Sequence, residues 1–89
     1  MTTDRYSAAA QSLIAPSDDF FAITPDDVAV LPRATKAIYV GTGGDVTVVS
    51  VRGDSPVTFA GVPDGAVLDL RVKAIRATGT TASNLVGLA

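Results

Sequence analysis

A chain of 89 residues with no cysteine and no histidine forms one small domain at most, and it lacks disulfide staples, thiolate chemistry and the usual general base near neutral pH. Carboxylates and other oxygen groups are the remaining metal ligands, so most hydrolase and zinc-enzyme templates are excluded; no enzyme activity and no cofactor are expected. The formal charge of −2 conceals a split: residues 1–27 carry five aspartates against Arg5, a net −4, whereas residues 28–89 carry four aspartates against six arginines and lysines, a net +2.

So small a domain recovers little buried surface against its conformational entropy, which makes a homo-oligomer the expected source of further stability. No run of 18 apolar residues occurs, so no membrane insertion is expected. The opening MTTDRYSAAAQSLIAP lacks the cationic start and sustained apolar core of a secretory signal, and synthesis in the cytoplasm is the default.

Residues 1–27 read as an N-terminal arm and residues 28–89 as a β-rich domain. Around YSAAAQSLIA two helical turns are possible before Pro16 ends them, and a lone helix of that length is marginal in water. Tyr6, Leu13 and Ile14 give the segment apolar contacts if it docks; a docked arm and a loosely ordered tail are both open. The following APSDDFFAITPDD, with two prolines and four aspartates, predicts an irregular segment loaded with Phe20, Phe21 and Ile23. If the backbone there is extended, the two phenylalanines point apart, one into the domain and one towards a partner; an irregular backbone would let both cover the same core.

Beyond Pro32 the pattern becomes that of strands. Thr35–Val40, Asp45–Arg52 and Val57–Ala60 are predicted strands, the second with apolar residues on both faces. Phe59 is the expected core aromatic of the hairpin that follows Gly53-Asp54-Ser55-Pro56. Val62-Pro63-Asp64-Gly65 suits a type I turn, with proline at its first central position. From Gly65 to Arg76, Leu68, Leu70, Val72 and Ala74 alternate with Asp69, Arg71 and Lys73. Ile75 breaks the alternation, which predicts a bulge or strand end near Ala74–Ile75. A last short strand is expected at Asn84–Leu88. The order of short strands and glycine-containing turns, with no crossover helix, predicts an all-β fold, a small antiparallel β-sandwich or barrel with an extended N-terminal arm.

Three features invite a chemical reading. Gly41-Thr42-Gly43-Gly44 resembles a phosphate loop in composition only: no Lys-Ser/Thr pair or helix follows, Asp45 would repel phosphate, and the valines of a strand come next. It is read as a turn. Asp18-Asp19 and Asp26-Asp27 lack the spacing of a calcium loop, so solvated acids or interface rim contacts are preferred. Arg71, Lys73 and Arg76 are too few for a nucleic-acid footprint in an acidic chain; Arg71 and Lys73 are expected on the outward face of one strand, facing solvent or another subunit.

"FFAITPDD", Leu31-Pro32-Arg33, "KAIYVGTGGDVTVV" and "VTFAGVPDGAVLDLRVKAIRATGTTASNLVGL" together resemble the small spike-base proteins of tailed phages and of gene transfer agents, the phage-like particles of alphaproteobacteria. The resemblance spans about residues 20–88 and rests on the order of its pieces; residues 1–19 carry little of it. It implies a structural virion protein that assembles as a ring, with five copies favoured, and joins the capsid protein to a spike fibre protein at a capsid vertex. Such a protein resides on the particle surface after assembly in the bacterial cytoplasm. A trimer or a tail position is open, and a carbohydrate-binding or tail-associated β-module is the alternative. No nucleic acid is expected as a partner. Candidate protein-interface residues are Leu13, Ile14, Phe20, Phe21, Arg71, Lys73 and Arg76, with the acids of one arm facing the basic edge of the same or a neighbouring copy.

Overall fold

In the computed structural model, which describes residues 17–89, valine-rich alternation and glycine-marked joints produce seven strands and no helix. They are β1 (Phe20–Ile23), β2 (Ala37–Thr42), β3 (Gly44–Ser50), β4 (Val57–Val62), β5 (Ala66–Leu68), β6 (Val72–Arg76) and β7 (Ser83–Leu88). All pairings are antiparallel, giving a four-stranded sheet of order β1-β7-β2-β5 and a three-stranded sheet of order β4-β3-β6. The expected all-β sandwich is therefore the fold. Ile38, Val40 and Leu85 from the larger sheet meet Val46, Val48 and Ile75 from the smaller one in the buried core. Each contributes about 1.5–3 kcal/mol by leaving water.

The glycine run joins two strands, but these strands do not pair with each other. β2 belongs to the larger sheet and β3 to the smaller, so the chain changes sheet at Gly43. There the Gly43 amide donates to Asp64 Oδ1 at 2.6 Å, and a Cβ would run into the Val62 carbonyl oxygen. The close approach of two backbones is the reason for glycine. The turn after β4 also differs from expectation. Ala66 N bonds to Pro63 O at 3.3 Å and Gly65 takes the left-handed φ of 76°, so the turn lies one residue later, with glycine at its second central position.

The longest alternating run divides. Leu68 ends β5 in one sheet, Val72 begins β6 in the other, and residues 69–71 cross between them. Alternation survives a change of sheet, which is why it reads as one strand. The pattern break at Ile75 has its cause one or two residues earlier than expected: Val49 faces Ala74 but Ser50 faces Val72, leaving Lys73 as the additional residue. After that bulge Ala74 and Ile75 are both buried, 1% and 2% exposed.

Residues 20–23 of the segment expected to be irregular form edge strand β1 against β7. Their extended backbone separates the two phenylalanines: Phe21 packs on the core over Gly87, while Phe20 is 64% exposed. The chain then runs along the free edge of β6. Asp26 N bonds to Ile75 O, Leu31 N to Lys73 O and Thr35 N to Val72 O, which closes an edge otherwise open to strand addition. Thr35, expected to open β2, is fully buried and pins this segment: its Oγ1 donates to Leu70 O at 2.7 Å and accepts from Val72 N at 3.1 Å.

Candidate functional site

Among the described residues, two apolar surfaces on the sheets stand exposed. On the outer face of the larger sheet, Ala22 lies opposite Val86, Val86 opposite Tyr39, and Tyr39 opposite Val67, a row across all four strands. Tyr39 and Val67 are 41% and 54% exposed, and Phe20 stands on the same side of β1. None of these strand positions carries a charge.

The second surface is a groove of about 270 Å³ lined by Val48, Val57, Phe59, Leu70 and Val72, with Ser50, Ser55, Asp69 and Arg71 completing it. Phe59, expected in the core, pairs with buried Val46 in the β4–β3 ladder and yet lies 37% exposed. Its face is the inward one. The larger sheet ends at three-residue β5 and leaves this part of edge strand β4 uncovered.

The charged residues tie the segment after β1 to the body. Asp26 Oδ1 accepts from Val28 N at 2.7 Å and Ala29 N at 2.8 Å. These bonds, that from Ala29 foremost, hold the Asp26 carboxyl below the ordinary aspartate range. Asp27 accepts from Thr78 N at 2.8 Å and from the Thr78 hydroxyl at 2.7 Å, and its carboxyl is lowered for the same reason, the amide first. The turn so anchored presents Val28 and Val30, 87% and 67% exposed. Asp19 forms a two-pronged pair with Arg33, whose guanidinium lies 5.0 Å from the centre of the Phe21 ring.

The candidate interface residues therefore scatter. Leu13 and Ile14 lie outside the described residues. Phe20 is free on the outer face, whereas Phe21 is taken by the core and Arg33. Arg71 lies in the crossover before β6, at the groove, and does not share a strand face with Lys73. Lys73 pairs with Asp54 at 3.2 Å, a carboxylate 99% exposed and so worth little. Arg76 Nη1 donates to the Asp27 carbonyl oxygen at 2.8 Å, an intrachain meeting of the acidic and basic parts. The groove has no counterpart in the sequence reading: inward alternation marks Val57 and Phe59 as core and contains no sign that the opposing sheet stops short.

No family model and no curated protein matches the chain. A solved structure does. The chain superposes with a TM-score of 0.78 and 36% sequence identity on a chain of "Capsid of native GTA particle computed with C5 symmetry", covering 94% of this chain and 96% of that one. Likeness in both sequence and fold over nearly the whole of both chains leaves little outside the comparison. This chain belongs to the family of that capsid component of the gene transfer agent particle, and is a structural virion protein.

Proposed function

We propose that the chain is the base of a head spike: a ring, five copies in the favoured form, seated at a capsid vertex and holding a fibre protein on its outer side. The supporting observation is the near full-length likeness to a chain of a particle capsid computed with fivefold symmetry. The two apolar surfaces add a physical reason. A ring of more than two copies closes through heterologous contacts, in which each copy offers two different patches. The outer face around Tyr39 and the groove around Phe59 are two such patches, and a small domain gains from burying both. In this reading residues 1–27 act as the arm and residues 28–89 as the body, the role is structural rather than catalytic, and the protein resides at the particle surface after assembly in the bacterial cytoplasm. A sugar-binding role for Tyr39 is disfavoured, because its cross-strand neighbours Val67 and Val86 offer no hydrogen-bonding side chain.

Native mass spectrometry of the recombinant chain and cryo-electron microscopy of particles carrying it test the reading. The expected results are a five-copy mass and fivefold density between capsid and fibre at the vertices. A monomer at tens of micromolar, or density confined to the tail, overturns it.

A further inference from the structure

We infer that in the ring the turn at residues 28–30 of each copy seats in the apolar groove of the next. The inference rests on the ring reading above and gives the groove its occupant. Val28 and Val30 are the most exposed large apolar side chains among the described residues, and they stand on a turn that is firmly held. Asp26 N and Leu31 N bond to Ile75 O and Lys73 O at 2.9 and 2.8 Å, Asp26 Oδ1 accepts from Val28 N and Ala29 N, and Asp27 is fastened to Thr78. A turn fixed in this way loses little further freedom on docking, and the two valines at its tip gain by leaving water.

The groove is the concave counterpart. Val48 and Val72 in its lining are buried, whereas Val57 and Phe59 stand exposed, so its mouth opens at edge strand β4. At about 270 Å³ it is smaller than the ~300–1,000 Å³ typical of small-molecule sites and has room for small side chains such as valine. Asp69 and Arg71 bring one charge of each sign to the lining, which leaves it without net charge. A convex turn does not fit its own like, and neither does a groove. The contact between them is therefore heterologous, the kind that closes a ring.

The chain's own turn cannot be the occupant, because its hydrogen bonds hold it on the opposite edge of the same sheet. The order across that sheet is turn, β6, β3 and β4, so the turn stands about 14 Å from β4, three strand spacings away. β1 lies on the turn's side of the sandwich, two residues before Asp26, and β5 lies on the groove's side, joined to β4 by residues 63–65. Six exposed apolar side chains are thereby divided between the two lateral edges: Phe20, Val28 and Val30 on one, Val57, Phe59 and Val67 on the other. Turn and groove are also level. Val57 is opposite Val48, Val48 is opposite Ile75, and Ile75 O accepts from Asp26 N, a single line across the sheet from the mouth of the groove to the turn. A closed ring allows no rise from one copy to the next, so copies set side by side with their strands along the ring axis need their two patches at one height.

The absence of cysteine makes the test specific. A full-length chain carrying Val28→Cys or Val30→Cys is co-assembled with a differently tagged full-length chain carrying Val57→Cys, and the assembly is treated with a short bismaleimide. The expected product is a linked pair carrying both tags from at least one of the two turn positions. In a second measurement, a full-length chain with both Val28→Ser and Val30→Ser should keep the urea midpoint of the unaltered chain below the concentrations at which rings form, since both side chains already stand in water. Its concentration for half-assembly should rise at least about tenfold in ultracentrifugation. Rings of the expected mass with no mixed pair from either position, or rings that the serine variant forms as readily as the unaltered chain, overturn the contact and leave the ring reading standing. Linkage of Val57→Cys to Tyr39→Cys in place of the turn positions puts the outer face in the groove and likewise overturns it. An unaltered chain that stays monomeric overturns the reading on which the contact rests.

Discussion

Phe59 and Val46 are direct cross-strand partners on one face of the β3–β4 ladder, yet Val46 is fully buried and Phe59 remains 37% exposed. The difference is the width of the opposing sheet. Val46 sits on central β3 beneath it, whereas Phe59 sits on edge strand β4 beyond its cover. Mutation should separate the two. Val46→Ala removes core packing and is expected to cost about 2–3 kcal/mol in urea unfolding. Phe59→Ser is expected to lower the stability of the isolated chain by about 1–2 kcal/mol, less than Val46→Ala, while lowering ring formation at least about tenfold by analytical ultracentrifugation. Equal losses of stability would place Phe59 in the core after all.

Thr35 carries a pair of hydrogen bonds that its burial makes valuable. Thr35→Val keeps the shape but leaves Leu70 O and Val72 N without that partner, an expected loss of ~1–3 kcal/mol; Thr35→Ser, which keeps the hydroxyl, should lose less. Denaturant curves of the two variants decide the matter, and the result fails the argument if serine is the worse of the two.

Two glycines should respond for different reasons. Gly43→Ala drives a methyl group into the Val62 carbonyl and the Asp64 backbone amide, neither of which is the end of a flexible side chain, with an expected cost of about 1–3 kcal/mol or more. Gly61→Ala meets nothing within 4 Å, but its φ of 68° is left-handed, so about 1–2 kcal/mol of backbone strain is expected. Gly61→Asn should recover part of that loss, since asparagine tolerates the conformation; asparagine gives no rescue at Gly43. Thermal unfolding of the four variants is the check.

The acids at Asp26 and Asp27 make the β6 edge sensitive to acid. Their carboxyls are held below the ordinary range in the folded chain, so the stability that they add is fully present above the unfolded value near about 4, and it is lost as the pH falls through the lower folded values. Protection of the Val28, Ala29 and Thr78 amides against exchange, relative to the intrinsic rate at each pH, should therefore fall below about pH 4 before the central strands open. The Asp27→Asn variant should lose much of this dependence at Thr78. Unchanged protection at these three amides down to pH 2 would contradict the role assigned to the carboxylates.

Much of this architecture is legible in the sequence. The strands from Ala37 to Leu88 follow alternation and β-branched residues, and the glycine joint after β2 could be separated from a phosphate loop by its neighbours alone. Three of the misreadings share one cause. Alternation reports which side of the backbone is apolar, and it does not report which sheet receives that side. Hence residues 65–76 look like one strand while serving two sheets, Phe59 looks like core, and Arg71 looks like a partner of Lys73.

By itself the sequence determined an all-β domain without thiol or imidazole chemistry, its acidic and basic parts, and its likeness to proteins of phage-like particles, because these depend on local composition and order. Tertiary structure alone decided that Phe21 turns inward and Phe20 outward, that Asp26, Leu31 and Thr35 close the β6 edge, and that the smaller sheet leaves an open apolar groove. Each of these depends on the relative breadth and offset of two packed sheets. That is a property of contacts between residues distant in the chain, and no window of sequence contains it.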